Sequence, residues 1–364
     1  MAKIWLTALT AAFLLAGCCT QNSAKFSSAD DYQLTILGDI HFDGEQYHIS
    51  EPWGEVAAKE RQRNIGQWKG ASQQLLAAAA AQSSADTPFI IQLGDITQGD
   101  CDNETLQSAA FKDVFAMLKK TFPGKKILAV TGNHDVRGNA DAPESAQKTL
   151  VPLLKAESGI KNMCGTNYAV RLGKDLFIFY DSFNSPSTDV TEKALKNNRD
   201  ARYVFFISHL PMFPCSNGNP GWIVPDFEKL IPLLKKHNAV VLAAHTHRFS
   251  HIVHSDSNGV LPQLIVSSMG STWRPDGKLV PNYKSFQQWK ESIAKRYHSI
   301  KWSMDNVAKF KSDDFITYDT FGAAPSGFVK LNVTDKEVTA NFYTDNSGKP
   351  AFVKTLLKNA KPEK

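Results

Sequence analysis

The sequence has few cysteines, no long hydrophobic run and no strong excess of either charge. Its 364 residues include five cysteines, 41 Lys and Arg, and 36 Asp and Glu, which gives a formal net charge of only +5. So small a surplus does not indicate a nucleic-acid partner. No apolar run reaches the roughly 18–20 residues of a membrane-spanning helix. There is no low-complexity tract and 42% of the residues are hydrophobic, which excludes disorder over most of the chain.

The N-terminal segment predicts export. After Lys3, residues 4–17 form a mostly apolar stretch with the length of a signal-peptide core, and a buried N-terminal helix is the alternative. Leu15-Ala16-Gly17-Cys18 resembles the lipobox of bacterial lipoproteins. That resemblance implies that residues 1–17 are a removed signal peptide and that acylated Cys18 anchors the protein to a membrane, facing the periplasm or the cell surface.

The regions that follow predict a tether, one domain and a tail. Residues 18–31 are mostly small and polar and predict a flexible lipid-anchored tether. A catalytic domain is expected over 32–350, and a charged tail over 351–364. An exported protein can form one disulfide among Cys101, Cys164 and Cys215, and their spacing does not select the pair.

Five short apolar runs have the length of β-strands. They are almost continuously apolar, as expected for strands buried on both faces. Stretches of helical composition separate several of them, which favours an α/β domain with parallel strand pairs. The runs cover residues 34–37, 89–93, 127–131, 203–207 and 240–244.

Polar residues directly follow each of these runs. Taken singly, a Gly-Asp pair or a lone His is weak evidence, because such residues are common in turns and cores. Parallel strands, however, bring their carboxyl ends to one edge of a sheet, where ligands bind. The polar clusters supply seven oxygen or nitrogen donors: Asp39, His41, Asp95, Asn133, His209, His245 and His247. One metal ion takes about four to six ligands, so the set suits two ions sharing a carboxylate.

The motifs GDIH, GDIT, GNHD, SHLP and AHTH resemble those of the calcineurin-like metallophosphoesterase superfamily over roughly residues 33–270. The resemblance implies two mixed β-sheets packed as a sandwich and flanked by helices. It also implies hydrolysis of a phosphate monoester or diester through a hydroxide that bridges two metal ions. The ions expected are divalent or mixed-valence Mn, Fe or Zn, and their identity stays open.

The same resemblance implies a role for each site residue. Asp39, His41 and His247 correspond to ligands of the first metal. Asn133, His209 and His245 correspond to ligands of the second metal, and Asp95 corresponds to the bridging carboxylate. His134 corresponds to the group that protonates the leaving group or stabilises the phosphoryl group, and Asp135 to the acid that orients His134. Asn133 and Arg137 are candidates for substrate binding, although Arg137 can equally be a solvated loop residue.

The motifs also narrow the family branch. Thr97-Gln98 replaces the Asp-Arg of Ser/Thr protein phosphatases, and Gln98 stands where purple acid phosphatases carry a Tyr ligand. The substrate is expected to be a phosphorylated small molecule or lipid. Phe213 and Trp222 follow one site strand and can serve as rim or as core. The competing hypothesis is a non-catalytic surface lipoprotein that uses the scaffold as a binding module.

Overall fold

The computed structural model describes residues 23–50, 54–138, 141–184, 186–218, 220–270, 278–297, 301–322 and 325–358. The predicted signal peptide over 1–17 and the predicted lipidation site Cys18 lie outside the described residues. Within the described ranges, no helix combines the length and the apolar character needed to cross a bilayer.

The described residues form strands that assemble into two mixed sheets. The strands are β1 Ser23–Phe26, β2 Tyr32–Leu37, β3 Phe89–Gln92, β4 Lys126–Ala129, β5 Tyr168–Leu172, β6 Asp175–Tyr180, β7 Val204–Ser208, β8 Ala239–Ala243, β9 Ser250–Asp256, β10 Gly259–Ile265, β11 Pro281–Tyr283, β12 Phe315–Phe321, β13 Phe328–Val333, β14 Glu337–Tyr343 and β15 Phe352–Lys358. The larger sheet has the order β1-β5-β6-β7-β8-β10-β9-β12-β11, and the smaller β15-β14-β13-β2-β3-β4.

Helices cover the outer faces of both sheets. The described α-helices are α1 Gly54–Gln67, α2 Gln73–Ala81, α3 Glu104–Thr121, α4 Ala142–Ser158, α5 Asp189–Asn197, α6 Phe227–Lys235, α7 Phe286–Tyr297 and α8 Lys301–Ala308. A π-helical turn, Trp68–Ser72, joins α1 to α2. The predicted sandwich of two mixed sheets with flanking helices is therefore confirmed.

The alternation of side chains along β7 explains the layers. Phe205 and Ile207 point into the main core, which includes the space between the two sheets. Phe206, on the opposite face, packs into a second cluster that contains Leu230 of α6 and Trp289 of α7. Because both faces are covered, every residue of β7 is buried, which is why its sequence is continuously apolar.

Both ends of the predicted domain need correction. Ser23–Phe26 lies within the predicted tether but forms β1, which pairs in parallel with β5. Phe26 packs edge-on against Phe89, with 5.3 Å between ring centroids, so core contact holds this short strand. Half of the predicted tail, Phe352–Lys358, is β15, which pairs with β14 and buries Leu356 and Leu357. Lysines interrupt its apolar pattern, as is common in edge strands.

The cysteines also differ from the prediction. Cys101 and Cys215 are buried thiols. Cys164 is disulfide-bonded, so it is bonded to neither of them. The predicted disulfide between two of these three residues is therefore wrong.

Candidate metal centre

The two sheets bring the seven predicted donors to one place. In the smaller sheet, β2, β3 and β4 run parallel, and their carboxyl ends lead to the loops that carry Asp39, His41, Asp95 and Asn133. In the larger sheet, the parallel strands β7 and β8 lead to His209, His245 and His247. The site therefore lies where the carboxyl edges of the two sheets meet. The strand pattern predicts one edge of a single sheet, whereas three of the seven donors follow strands of the second sheet.

Asp39, His41, Asp95 and His247 form the first group of ligand atoms. One candidate ligand atom from each of the four lies within 4.8 Å of the others. The Nε2 atoms of His41 and His247 are 3.0 Å apart. His41 Nε2 lies 3.8 Å from Asp95 Oδ2, and His247 Nε2 lies 3.9 Å from Asp39 Oδ2. Imidazole nitrogens and carboxylate oxygens at these separations surround a space of the size of one cation.

The second group contains Asp95, His209, His245 and Asn133. Atoms of the first three lie within 4.8 Å of one another. His209 Nε2 is 3.3 Å from Asp95 Oδ2. Asn133 Oδ1 is 3.2 Å from His209 Nε2 and 2.9 Å from His245 Nδ1. Asp95 is therefore the one carboxylate that both groups share among the described residues.

Buried atoms without donors show that this site suits a cation. Asp39 is fully buried, and no described group donates a hydrogen bond to its Oδ2. An uncompensated carboxylate oxygen in a protein interior costs several kcal/mol. A divalent ion held by Asp39 and its neighbours would compensate this charge, so the residues present fit a metal site.

The backbone at the site is held in conformations that L-residues avoid. Four of the seven candidate ligands have a positive φ: 50° at His41, 49° at Asp95, 67° at His245 and 53° at His247. Each such residue costs about 1–2 kcal/mol. Strain of this kind concentrates at functional sites, where the surrounding structure enforces it.

Glycines make the close packing of these loops possible. Gly94 precedes Asp95 and has a φ of +91°, and a Cβ there would lie 2.6 Å from His209 Nδ1. A Cβ on Gly132 would lie 2.1 Å from the backbone nitrogen of Asp95. Both positions therefore exclude a side chain, because the metal-site loops touch at these backbones.

Burial and charge set the protonation of the centre. Burial lowers the pKa values of His41 and His245 well below their ordinary value, so these imidazoles stay neutral, the form that binds a metal. Burial raises the pKa of Asp39 to about 7. Burial opposes a charge on His209, but Asp95 beside it raises the pKa of His209 to about 9. Asp95 and Asp39 thus favour positive charge between them, whether a proton on His209 or a metal ion.

His134 lies beside the first group and is oriented by a backbone carbonyl. Its ring packs edge-on against His41, with 4.5 Å between centroids. Its Nδ1 is 2.8 Å from the carbonyl oxygen of Gln98, and its backbone N–H donates to Asp95 Oδ1 at 2.8 Å. With Nδ1–H donating to Gln98, Nε2 is the ring atom available to a substrate.

Asp135 does not orient His134, contrary to the prediction. Asp135 is fully buried, and its Oδ1 accepts from the backbone N–H of Thr97 at 2.9 Å. Its Oδ2 accepts from the backbone N–H of Gly132 at 2.8 Å. Successive side chains of the 3₁₀ turn His134–Val136 point in different directions, so this carboxylate joins the two loops behind the site.

Arg137 lies next to His134, as expected for a candidate substrate-binding residue. Its Nη1 is 3.5 Å from His134 Nε2. Asp100 accepts two hydrogen bonds from the guanidinium, one of them from Nε at 3.0 Å and the other from Nη2. A bidentate pair of this kind fixes the plane of an arginine. Nothing in the sequence around Asp100 indicates that it pairs with Arg137, because the two residues are 37 positions apart.

Aromatic residues border the second group. The sequence left open whether Phe213 and Trp222 belong to the rim of the site or to the core. Trp222 is half-buried and stacks on His245, with 5.2 Å between ring centroids. Phe183, also half-buried, lies 5.8 Å from the His209 ring. Phe213 is instead a core residue and stacks on His254.

The convergence of these donors at the edges of two sheets defines a class of α/β proteins with a buried metal site. The family model for calcineurin-like phosphoesterases matches residues 32–249, more than half of the chain, and the chain belongs to this family. It is therefore a metal-dependent phosphoesterase by family. No curated protein matches the sequence significantly.

Solved structures support the same fold. PhoD matches with a TM-score of 0.52 and 12% identity, covering 91% of this chain and 70% of that chain. A dimetal phosphatase from Danio rerio matches with a TM-score of 0.50 and 14% identity, covering 90% of this chain and 99% of that chain. Identities this low indicate shared architecture and leave substrate open.

Proposed function

We propose that the protein hydrolyses a phosphate monoester or diester with a pair of metal ions. Asp39, His41 and His247 would hold one ion, and the group around His209 and His245 the other, with Asp95 shared. Asn133 completes the second group. The observation that carries the proposal is the position of Asp95, whose carboxylate lies within 4.8 Å of the ligand atoms of both groups. One structure of similar fold is described as a dimetal phosphatase, which agrees with a pair.

The bound ions would supply Lewis acidity and lower the pKa of water to near neutrality. Ions of Mn, Fe or Zn suit this mixture of imidazole, carboxylate and amide ligands. Burial holds His41 and His245 in the neutral form that binds a metal, and the proton that Asp95 favours on His209 would leave when an ion binds. Expected substrates are phosphorylated small molecules or lipids.

The residues around the ligands have distinct tasks. Because Gln98 accepts from His134 Nδ1, a proton delivered to a leaving group would come from His134 Nε2. Arg137, with Nη1 3.5 Å from that nitrogen, places positive charge where non-bridging phosphoryl oxygens would lie. Its pairing with Asp100 holds the guanidinium in this direction.

Metal content and hydrolysis test the proposal together. The metal-loaded wild type should contain about two ions per chain and hydrolyse p-nitrophenyl phosphate or its bis-p-nitrophenyl diester. Asp95→Asn should lose both metal and activity, since the shared ligand loses its charge. His134→Ala should keep its metal and lose about 10²–10⁴-fold in kcat, the usual contribution of a general acid.

A matched control separates the ligand effect from a general loss of charge. Asp102→Asn removes a carboxylate that accepts from the backbone N–H groups of the 49–50 segment and is in neither ligand group. It should retain metal and activity. Full activity in Asp95→Asn would disprove the bridging role, and a metal-loaded wild type inert toward both esters would favour the non-catalytic binding module.

We also propose that the protein is an exported lipoprotein attached to a membrane through acylated Cys18. The motif Leu15-Ala16-Gly17-Cys18 and the apolar stretch before it support this. Expression with a labelled fatty acid in a bacterial host should give a labelled, membrane-fractionated protein, whereas Cys18→Ala should give an unlabelled one. Label retained in Cys18→Ala would contradict the assignment.

A further inference from the structure

The metal centre has one aromatic side. Trp222 stacks on His245 with the two ring planes inclined by 23° and 5.2 Å between centroids. Phe183 lies 5.8 Å from His209, the other imidazole of the second group. The two aromatic residues come from different loops, after β6 and after β7, yet both reach the same pair of ligands. Two separate loops thus each place an aromatic ring against a histidine of the second group.

The loop that carries Trp222 is held in place. Asn306 Nδ2 of α8 donates to the carbonyl oxygen of Gly221 at 3.1 Å. On the other side, the backbone N–H of Val224 donates to the carbonyl oxygen of Pro211 at 2.9 Å. These bonds fix the backbone on both sides of Trp222. Its ring is therefore positioned before a substrate arrives, which lowers the entropic cost of binding.

Trp222 and Phe183 lie at the edge of their aromatic cluster. Trp289 and Phe213 have no exposed surface, whereas Trp222 and Phe183 are half-buried, as are Tyr283 and Phe315. What sets Trp222 and Phe183 apart from Tyr283 and Phe315 is their contact with His245 and His209. Partly exposed aromatic surface beside a polar ligand cluster is typical of small-molecule sites, in which flat rings bind and a few polar groups orient.

The first group of the centre lies beside cationic and hydrogen-bonding groups. His134 packs against His41, a member of the first group, and Arg137 lies against His134. A phosphoester whose charged end lies over the ligands, near His134 and Arg137, could extend its organic group toward Trp222. The cationic groups thus suit the phosphoryl end of a phosphoester, and the aromatic rings suit its organic end.

We propose that Trp222 and Phe183 bind a planar aromatic group of the substrate, either an aryl group or a nucleobase. This inference rests on the proposed function, because it assumes that the phosphoryl group lies at the metal centre. A flat ring is favoured over an acyl chain because both residues are planar aromatic groups with some exposed surface, and planar groups of a ligand stack on aromatic side chains.

Binding to the metal-loaded protein tests the proposal without turnover. Phenylphosphonate and cyclohexylphosphonate have the same charged group and similar size, but only the first has a planar ring. Calorimetry should show that wild type binds the phenyl compound at least tenfold more tightly. Trp222→Leu should abolish this preference, and Trp222→Phe should retain most of it. Phe352→Leu, which alters a half-buried aromatic residue of the edge strand β15, should leave the preference unchanged.

Three results would overturn the inference: equal affinity for both phosphonates in wild type, a preference that survives in Trp222→Leu, or loss of metal from Trp222→Leu and Trp222→Phe alike. The last would show that Trp222 only supports His245. Comparing phenylphosphonate with a non-hydrolysable phosphonate analogue of adenosine monophosphate distinguishes nucleobase from aryl recognition. A wild type that prefers the planar ring but hydrolyses no ester would refute the proposed function and leave this inference standing.

Discussion

At the scale of single residues, the site depends on pairs that lie far apart in sequence. Arg137 and Asp100 show this well. Asp100 has a φ of 55°, and its backbone N–H donates to the carbonyl oxygen of Arg137 at 3.1 Å, while its carboxylate holds the guanidinium. The loop after β3 and the loop after β4 are thus joined through both backbone and side chains, which leaves Arg137 only a narrow range of directions.

Loss of this pairing should reduce substrate capture. Asp100→Asn and Arg137→Lys should each lower kcat/KM for a phosphoester by about 10- to 100-fold, the equivalent of one charge-assisted bidentate interaction. Arg137→Lys keeps the charge but loses the planar fork, so it isolates geometry from charge. Steady-state kinetics with equal metal loading provides the measurement. Unchanged kcat/KM in Arg137→Ala would show that Arg137 does not contact the substrate.

At the scale of elements, the strand-to-loop turns decide whether the ligands meet. Each ligand loop leaves a buried strand through a tight turn, and the loops then contact one another through bare backbone. Gly94 is the clearest case, since a Cβ would approach both His209 Nδ1 at 2.6 Å and the Gly132 nitrogen at 2.9 Å. Glycine is therefore required at position 94 by the contacts between the ligand loops, not by the strand that precedes it.

Two glycine variants with similar backbone angles test this interpretation. Gly94→Ala should lower stability by more than about 1 kcal/mol and should also reduce metal content, because His209 must move. Gly124→Ala, at a φ of +77° with nothing within 4 Å of its Cβ, carries only the backbone penalty. It should lose about 1 kcal/mol and keep full metal and activity. Urea unfolding and metal analysis give both quantities. Equal metal loss in the two variants would mean that backbone strain alone explains the effect.

At the scale of the whole molecule, buried histidines outside the metal centre link stability to pH. His254 on β9 is 5% exposed, accepts from Lys235 Nζ at 2.9 Å and stacks on Phe213. Burial, aided by the positive charge of Lys235, lowers the pKa of His254 from 6.5 to about 4. Asp256 and Asp314 nearby oppose this shift. His251 on the same strand has its pKa lowered to about 4 chiefly by burial.

These histidines should make the fold sensitive to acid. Because the folded-state pKa of His254 lies below its unfolded value, the unfolded chain takes up a proton below about pH 6.5 that the folded chain refuses until about pH 4. Stability should fall by about 1.4 kcal/mol per pH unit for each such histidine across that window. His254→Asn keeps an acceptor for Lys235 and should give a flatter slope by that amount. Urea unfolding at pH 7, 6 and 5 measures it, and parallel slopes would refute the assignment.

Most ligands of the metal centre could be predicted because each one directly follows a recognisable strand in the sequence. The runs before Asp39, Asp95, Asn133, His209 and His245 are strands with covered faces, so their sequences are almost continuously apolar. The polar residue after each run then marks a strand end. The hairpin of β13 and β14 carries local evidence of the same kind, since its strands have their own apolar pattern on either side of a turn.

The errors occur where only distant partners decide the structure. Ser23–Phe26 becomes a strand because β5 offers it an edge, and a short polar segment shows no such signal by itself. The family resemblance implies that Asp135 orients His134, and the turn geometry directs its carboxylate to Thr97 and Gly132 instead. Trp222 could have been core or rim, and only the path of the loop after β7 places it on His245.

The sequence by itself determined which groups can bind metal and at which strand ends they stand, because burial and turn chemistry leave a local pattern. Only the tertiary structure decided that Gln98 rather than Asp135 holds His134, that Asp100 aims Arg137, and which aromatic rings border the ligands. Those contacts join loops from different strands. Their partners are set by the packing of the two sheets, which no short segment of sequence records.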